Sequence, residues 1–144
     1  MYQIKQQDWG LKLTFGGSID ADEMARWLGE MKDLLEDRDI HFFVFVDMRT
    51  LIPLDKEAQV HMREGQELAR RRGMVRSVVI LNSPVVAAQF RRIGGETGIG
   101  KWERYIDASS VPDWESVGMD WLLEAIDPNQ VKHPTRTSKL TAPQ

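Results

Sequence analysis

The 144-residue chain contains no cysteine. That excludes thiol nucleophiles, disulfides and thiolate zinc sites, and it points to a reducing compartment. Histidine is scarce, and His41, His61 and His133 lie far apart with no two at metal-ligand spacing. Long apolar runs are missing as well. The longest, FFVFV at 42–46, is far short of the roughly 20 residues a membrane-spanning helix needs. The first residues, MYQIKQQDWG, hold no apolar stretch and no cleavage pattern, which reads as the absence of a secretory leader. These absences lead to the expectation of a cytoplasmic protein without metal, cofactor or membrane span.

What the chain does have is enough length for one domain. Such a chain buries roughly two thirds of its unfolded surface and needs no staple. Its net charge of −3 is unevenly spread. Residues 63–104 carry nine Arg and Lys against four Glu, a balance of +5, while residues 1–62 balance at −5 and residues 105–144 at −3. Charge runs of this kind usually resolve into internal pairs and solvated helix faces. The sharper alternative is a patch for an acidic partner, centred on Arg70, Arg71 and Arg72. No recognised motif or aromatic platform accompanies the charge, so nucleic acid is not an expected partner.

The hydrophobic pattern alternates between strand and helix periods. YQIKQQ and GLKLTFGGSI read as a hairpin turning at Asp8-Trp9-Gly10. Asp20, with Glu23 three residues on, opens a helix whose Met24, Trp27, Leu28, Met31, Leu34 and Leu35 form one stripe. HFFVFVDM lacks alternation, the pattern of a central strand covered on both faces. Pro53 breaks the chain, and Asp55 caps a second helix ending in Arg70–Arg72 and Gly73. Its stripe is thin and small: Ala58, Met62, Gly65 and Ala69. RSVVIL forms the next strand. Ser83-Pro84 opens a third helix with Val86, Phe90 and Ile93 inward, KWERYID is a short strand, and Asp113 caps a last helix. Residues 127–144 are polar and rich in proline, which reads as a disordered tail after a domain spanning 1–126. The order ββαβαβαβα gives an α/β fold: a single-domain mixed sheet of about five strands with four helices, the later strands parallel.

Candidate chemistry is thin. GGETGIGKW at 94–102 nearly spells a phosphate-binding loop, but it follows a helix and precedes a strand, and Trp102 replaces the hydroxyl residue. Gly94 and Gly95 then read as a helix C-cap, and Gly98 and Gly100 as turn residues with positive φ. His61 and Glu64 stand at i, i+3 with no third metal ligand in sight, a solvated pair. Asp47 ends the central strand, where α/β proteins tend to bind ligands, although an acid there commonly only caps the following backbone. Trp9 and Trp102 fall in turns. They are candidates for partial exposure beside Lys101, Arg104 and the Arg70–Arg72 cluster.

The element order, the stretch FVFVDMRTLIPLDKEAQ and the segment GGETGIGKWERYIDAS together resemble the STAS superfamily. The likeness is to its SpoIIAA-like, STAS/SEC14-like branch, related to bacterial anti-sigma-factor antagonists, and it covers about residues 1–126. In the antagonists an Asp ends the central strand, and eight residues later an Asp-Ser-Ser-Gly run begins the next helix, its second Ser accepting phosphate. Asp47 and Asp55 keep that spacing, but Lys56 and Glu57 replace the serines and Ala58 the glycine. The resemblance therefore implies a non-enzymatic regulatory module without the phosphoacceptor. Glu57 either imitates the phosphorylated state or merely suits a helix start, and Thr50, in the loop before Pro53, is a substitute acceptor. The expected partner is another protein or a second copy, meeting Asp47, Thr50, Asp55, Glu57, Met62 and the three arginines. The SEC14-like side of the resemblance implies the alternative, a carrier of a small apolar ligand such as a lipid.

Overall fold

The computed structural model of the protein describes residues 1–37 and 41–128. Strands β1 (Tyr2–Gln7) and β2 (Gly10–Gly17) form the expected antiparallel hairpin, in register from Tyr2 opposite Phe15 to Gln7 opposite Gly10. The chain continues through α1 (Ala21–Leu35), β3 (Phe42–Leu51), α2 (Lys56–Arg71), β4 (Met74–Leu81) and α3 (Pro84–Thr97). A 3-10 turn (Ile99–Lys101), β5 (Glu103–Asp107) and α4 (Trp114–Glu124) follow. The sheet runs β1-β2-β3-β4-β5, with β2 through β5 parallel to one another. This is the anticipated α/β fold of five strands and four helices, with β3 central.

Each crossover from β2 to β5 steps to the next neighbour in one direction. A constant hand of connection then places every crossover helix on one face. The main core accordingly joins Met24, Trp27 and Met31 of α1, Ala58 and Met62 of α2, and Phe90 and Ile93 of α3 to Phe15, Val44 and Val79 of the sheet. Helix α4 follows the edge strand and covers the other face. There Trp121 and Leu122 pack on Phe45, Val78, Ile80 and Ile106. Alternate residues of β3 serve the two sides: Phe42, Val44, Val46 and Met48 one, Phe45 and the half-buried Phe43 the other.

The helix starts follow their caps. Asp20 accepts from the Glu23 N–H at 2.8 Å, Asp55 from Ala58 N–H at 2.8 Å and Ser83 from Val86 N–H at 3.3 Å. Asp113 departs from expectation. It stands at the N-cap of α4, but its side chain makes no capping bond, and its carbonyl instead accepts from Ser116 Oγ and Val117 N.

Three further expectations need correction. Gly94 and Gly95 do not end α3; the helix runs through them to Thr97, and Gly98 makes the left-handed cap at φ 77°. Gly100 lies in the 3-10 turn and is not among the glycines with positive φ. Thr50 is not in a loop but in β3, opposite Gly16, because the strand continues four residues past Asp47. Most of the expected tail, 129–144, lies outside the described residues. Asp127 is not loose: its carboxylate holds Arg104 at 3.0 Å.

Candidate functional site

Asp47 is half-buried, and its carboxylate is fully engaged by its own strand. Oδ1 accepts from Arg49 N–H at 3.1 Å and from Nε at 3.0 Å, and Oδ2 accepts from the guanidinium at 3.0 Å. Burial pushes the carboxyl up, but the hydrogen bonds and charge of Arg49 outweigh it and hold Asp47 below the usual carboxylate range. The Arg49 guanidinium stacks 4.2 Å from the Trp114 ring of α4. Asp47 therefore belongs to the α4 side of the sheet. Asp55 caps α2, whose buried side chains join the core on the opposite side.

Asp55 and Glu57 are exposed at the start of α2, and the chain just before them is tightly held. Leu54 N–H donates to Gln89 Oε1 at 2.9 Å, and the Leu54 carbonyl accepts from Gln89 Nε2 at 2.9 Å and from Gln59 Nε2 at 3.0 Å. Arg92 donates in turn to Gln59 Oε1. Two glutamines, one from α2 and one from α3, thus clamp the loop by its backbone while the Leu54 side chain is buried. Ile52, two residues before Leu54, is 54% exposed, and Val60 and Val85, on the two helices that supply the clamp, are 42% and 58% exposed. Neither glutamine was legible as a site residue in sequence, since a polar residue between helix stripes usually faces water.

Met62 does not belong to this surface. It is 3% exposed and packed inside the main core. The small residues of α2 serve α1 instead: a Cβ on Gly65 would overlap the Trp27 ring. The thin stripe is a close helix-to-helix contact within the fold, not an interface between molecules.

Most of the basic middle third is also spent internally. Arg70 stacks 3.5 Å from the Trp102 ring and donates to the Met74 carbonyl. Arg72 donates to the Glu36 carbonyl, Arg63 pairs with Glu96 at 2.6 Å, and Arg76 donates twice to the Leu122 carbonyl. Arg71 stays exposed. His61 Nδ1 lies 3.9 Å from Glu64, and among the described residues no group of three His, Cys, Asp or Glu is placed to hold a metal.

The side chains that sequence reasoning missed are in β4 and β5. Glu103 is 4% exposed. Ser77 Oγ donates to its Oε1 at 2.9 Å, and the Tyr105 hydroxyl lies 2.5 Å from its Oε2 and 3.0 Å from the Phe90 carbonyl of α3. Trp121 Nε1 donates to the Ser77 carbonyl at 2.9 Å from the other face of the sheet. Burial pushes the Glu103 carboxyl up against the opposing pull of these hydroxyls. Burial and the nearby Glu103 push the Tyr105 hydroxyl up as well. The available signal was the i, i+2 pair Glu103 and Tyr105, which a short strand must send to the same face.

Glu103 also borders two spaces. Inside, a cavity of about 40 Å³ lies between sheet and helices, walled by aliphatic, methionine and aromatic side chains, with Ser77, Gln66 and Glu103 as its polar members. Trp27 Nε1 and Gln66 Oε1, on residues lining it, are buried without hydrogen-bond partners. Outside, Glu103 meets a surface cleft of about 310 Å³ with Arg91, Gly100, Arg104 and Tyr105.

The chain matches no protein-family model and no curated protein. Among the described residues, no helix is long and apolar enough to cross a membrane.

Proposed function

We propose that this protein is a non-enzymatic interaction module, related to the SpoIIAA-like branch of the STAS superfamily, that binds a protein partner through the clamped β3–α2 loop. The observation that carries the reading is a loop fixed by two glutamines that nevertheless presents Ile52 to solvent, with Val60 and Val85 exposed on the two helices that supply the clamp. A rigid loop loses little entropy on binding, and exposed apolar side chains on such a loop supply contact energy. Glu57, exposed in the first turn of α2, adds a permanent negative charge where the antagonists carry their phosphoacceptor. Support for a non-enzymatic role comes from Asp47, the best-placed acid in sequence, whose oxygens are occupied by Arg49. A cytoplasmic location belongs to the same proposal and rests on the cysteine-free composition.

The test is to recover partners from the native cell with the wild-type chain and with Ile52→Asp, and then to measure binding of the purified pair. The substitution weakens binding by about tenfold or more if Ile52 is an anchor, with unchanged circular dichroism. Equal affinity for both proteins overturns the reading. Sedimentation of the chain alone over a range of concentrations separates a second copy from a different partner.

A second reading, an apolar-ligand carrier, is favoured by the apolar-lined cavity between sheet and helices. At about 40 Å³ it is well below the roughly 150 Å³ that accommodates a benzene ring, so an acyl chain enters only if α2 moves. Native mass spectrometry of freshly purified protein decides this: added ligand mass supports the carrier, and apo protein alone removes it.

A further inference from the structure

We propose that Glu103 is a proton-controlled latch. With its proton bound it ties α3 to β5 through Tyr105, and when the proton leaves through the surface cleft the tie is released. The inference does not depend on the binding reading above.

It starts from counting hydrogens. The Tyr105 hydroxyl has one proton and two close oxygens, the Phe90 carbonyl at 3.0 Å and Glu103 Oε2 at 2.5 Å. A carbonyl only accepts. If the phenol donates to Phe90, the second contact needs a proton on Glu103 Oε2, donated to the phenol oxygen. Ser77 Oγ donates to the other carboxyl oxygen, Oε1, which accepts in either protonation state. Every contact is then satisfied in one arrangement: Ser77 to Glu103, Glu103 to Tyr105, Tyr105 to Phe90. An ionised Glu103 breaks the chain. The phenol must turn its single proton to Oε2, and the Phe90 carbonyl is left facing a bare oxygen at 3.0 Å.

The surroundings decide where the proton stands. From β4 the carboxyl meets the neutral Ser77; from α2 the neutral Gln66 shares its cavity; from its own strand come Tyr105 and Arg104; from α3 comes Arg91. Arg104 is paired with Asp127 at 3.0 Å, and neither arginine makes a hydrogen bond to the Glu103 carboxyl. The apolar wall disfavours ionisation, and the Ser77 and Tyr105 hydroxyls oppose that push. Glu103 lines both the cavity and the cleft, so the latch places its proton exchange with water on the cleft side.

The glycine-rich stretch now has a physical reason. A Cβ on Gly94 would lie 3.0 Å from the Tyr105 hydroxyl and 3.6 Å from Glu103 Oε2. The helix carries glycine at that position because the latch occupies the side-chain space. Gln89, which clamps Leu54, rides on the same helix, so slack in α3 reaches the Ile52 loop.

The test compares the wild-type chain with Glu103→Gln, whose amide donates to Tyr105 and accepts from Ser77 without titrating. An infrared difference spectrum at neutral pH reads a protonated-carboxyl carbonyl band in the wild type that the variant lacks. Raising the pH then removes this band and lowers the protection of the amides between Phe90 and Tyr105, relative to their intrinsic exchange rates, by about tenfold or more in the wild type alone, the size expected for one lost buried hydrogen bond. Absence of the band at neutral pH, or an equal loss of protection in both proteins, overturns the latch. Tyr105→Phe is the control: it keeps the acid and removes the link, so its protection is low at both pH values.

Discussion

Asp47 and Glu103 are acids on strands of one sheet, held in opposite states. Asp47, on the central strand, has a guanidinium across both oxygens and water nearby. Glu103, on the edge strand, has two hydroxyls and an apolar wall. The same functional group is kept ionised in one place and pressed toward neutrality in the other. Depth in the fold therefore says less than the choice of partner: an edge strand carries the better-buried acid because α3 and the 3-10 turn close over it. The contrast also sorts their roles, since Asp47 is neutralised locally and Glu103 joins α3 to the sheet.

The largest expected effect that tests this contrast is Glu103→Ala. It leaves Ser77 and Tyr105 without their partner and enlarges the cavity, so the cost is about 2–4 kcal/mol. Asp47→Ala removes a partly solvated pair and costs about 1 kcal/mol or less. Urea denaturation of both variants measures the gap, and equal costs break the comparison.

The pH dependence is the next most sensitive. Glu103 has its folded-state pKa raised, so its contribution to stability is fully present below the unfolded-state value and is lost as pH rises through the folded one. Asp47 has its folded-state pKa lowered. Its contribution is present above the unfolded-state value and is lost as pH falls through the folded one. Glu103→Gln thus flattens the fall in stability as pH rises above the unfolded-state carboxyl value, and Asp47→Asn flattens the fall below it. Denaturation midpoints across pH read both limbs, and an unchanged rising-pH limb in Glu103→Gln contradicts the assignment.

A smaller effect separates two adjacent glycines. Gly95 is helical with open space around its missing Cβ, so Gly95→Ala gains about 0.5–1 kcal/mol from helix propensity. Gly94→Ala forfeits that gain, because its methyl meets the Tyr105 hydroxyl at 3.0 Å. Thermal melts of the two variants sharpen the comparison, and equal stabilisation removes the packing reason for Gly94. The smallest effect is expected at Arg49→Met, which loses the Asp47 pair and the Trp114 stack. A double-mutant cycle with Asp47→Asn gives a coupling of about 0.5 kcal/mol, rising as salt is removed.

Local chemistry in the amino-acid sequence determined the element order, the three working caps and the central position of β3. Capping needs only a side chain and an amide three residues away, and an unbroken apolar run such as FFVFV has no stable place except between two covered faces. Asp47 was legible as an acid that holds nearby backbone, but not its place: it does not end the strand, since β3 runs on to Leu51 and its partner Arg49 lies within β3. What only the tertiary structure decided is which distant groups meet. Gln59 and Gln89 converge on Leu54 from different helices. Gly65 admits the Trp27 ring from α1. Glu103 finds Ser77 because the parallel pairing of β4 and β5 sets the two opposite each other. Hydrogen bonds and burial act over a few ångströms of space, and between strands and helices that proximity is a property of the folded chain, not of neighbouring residues.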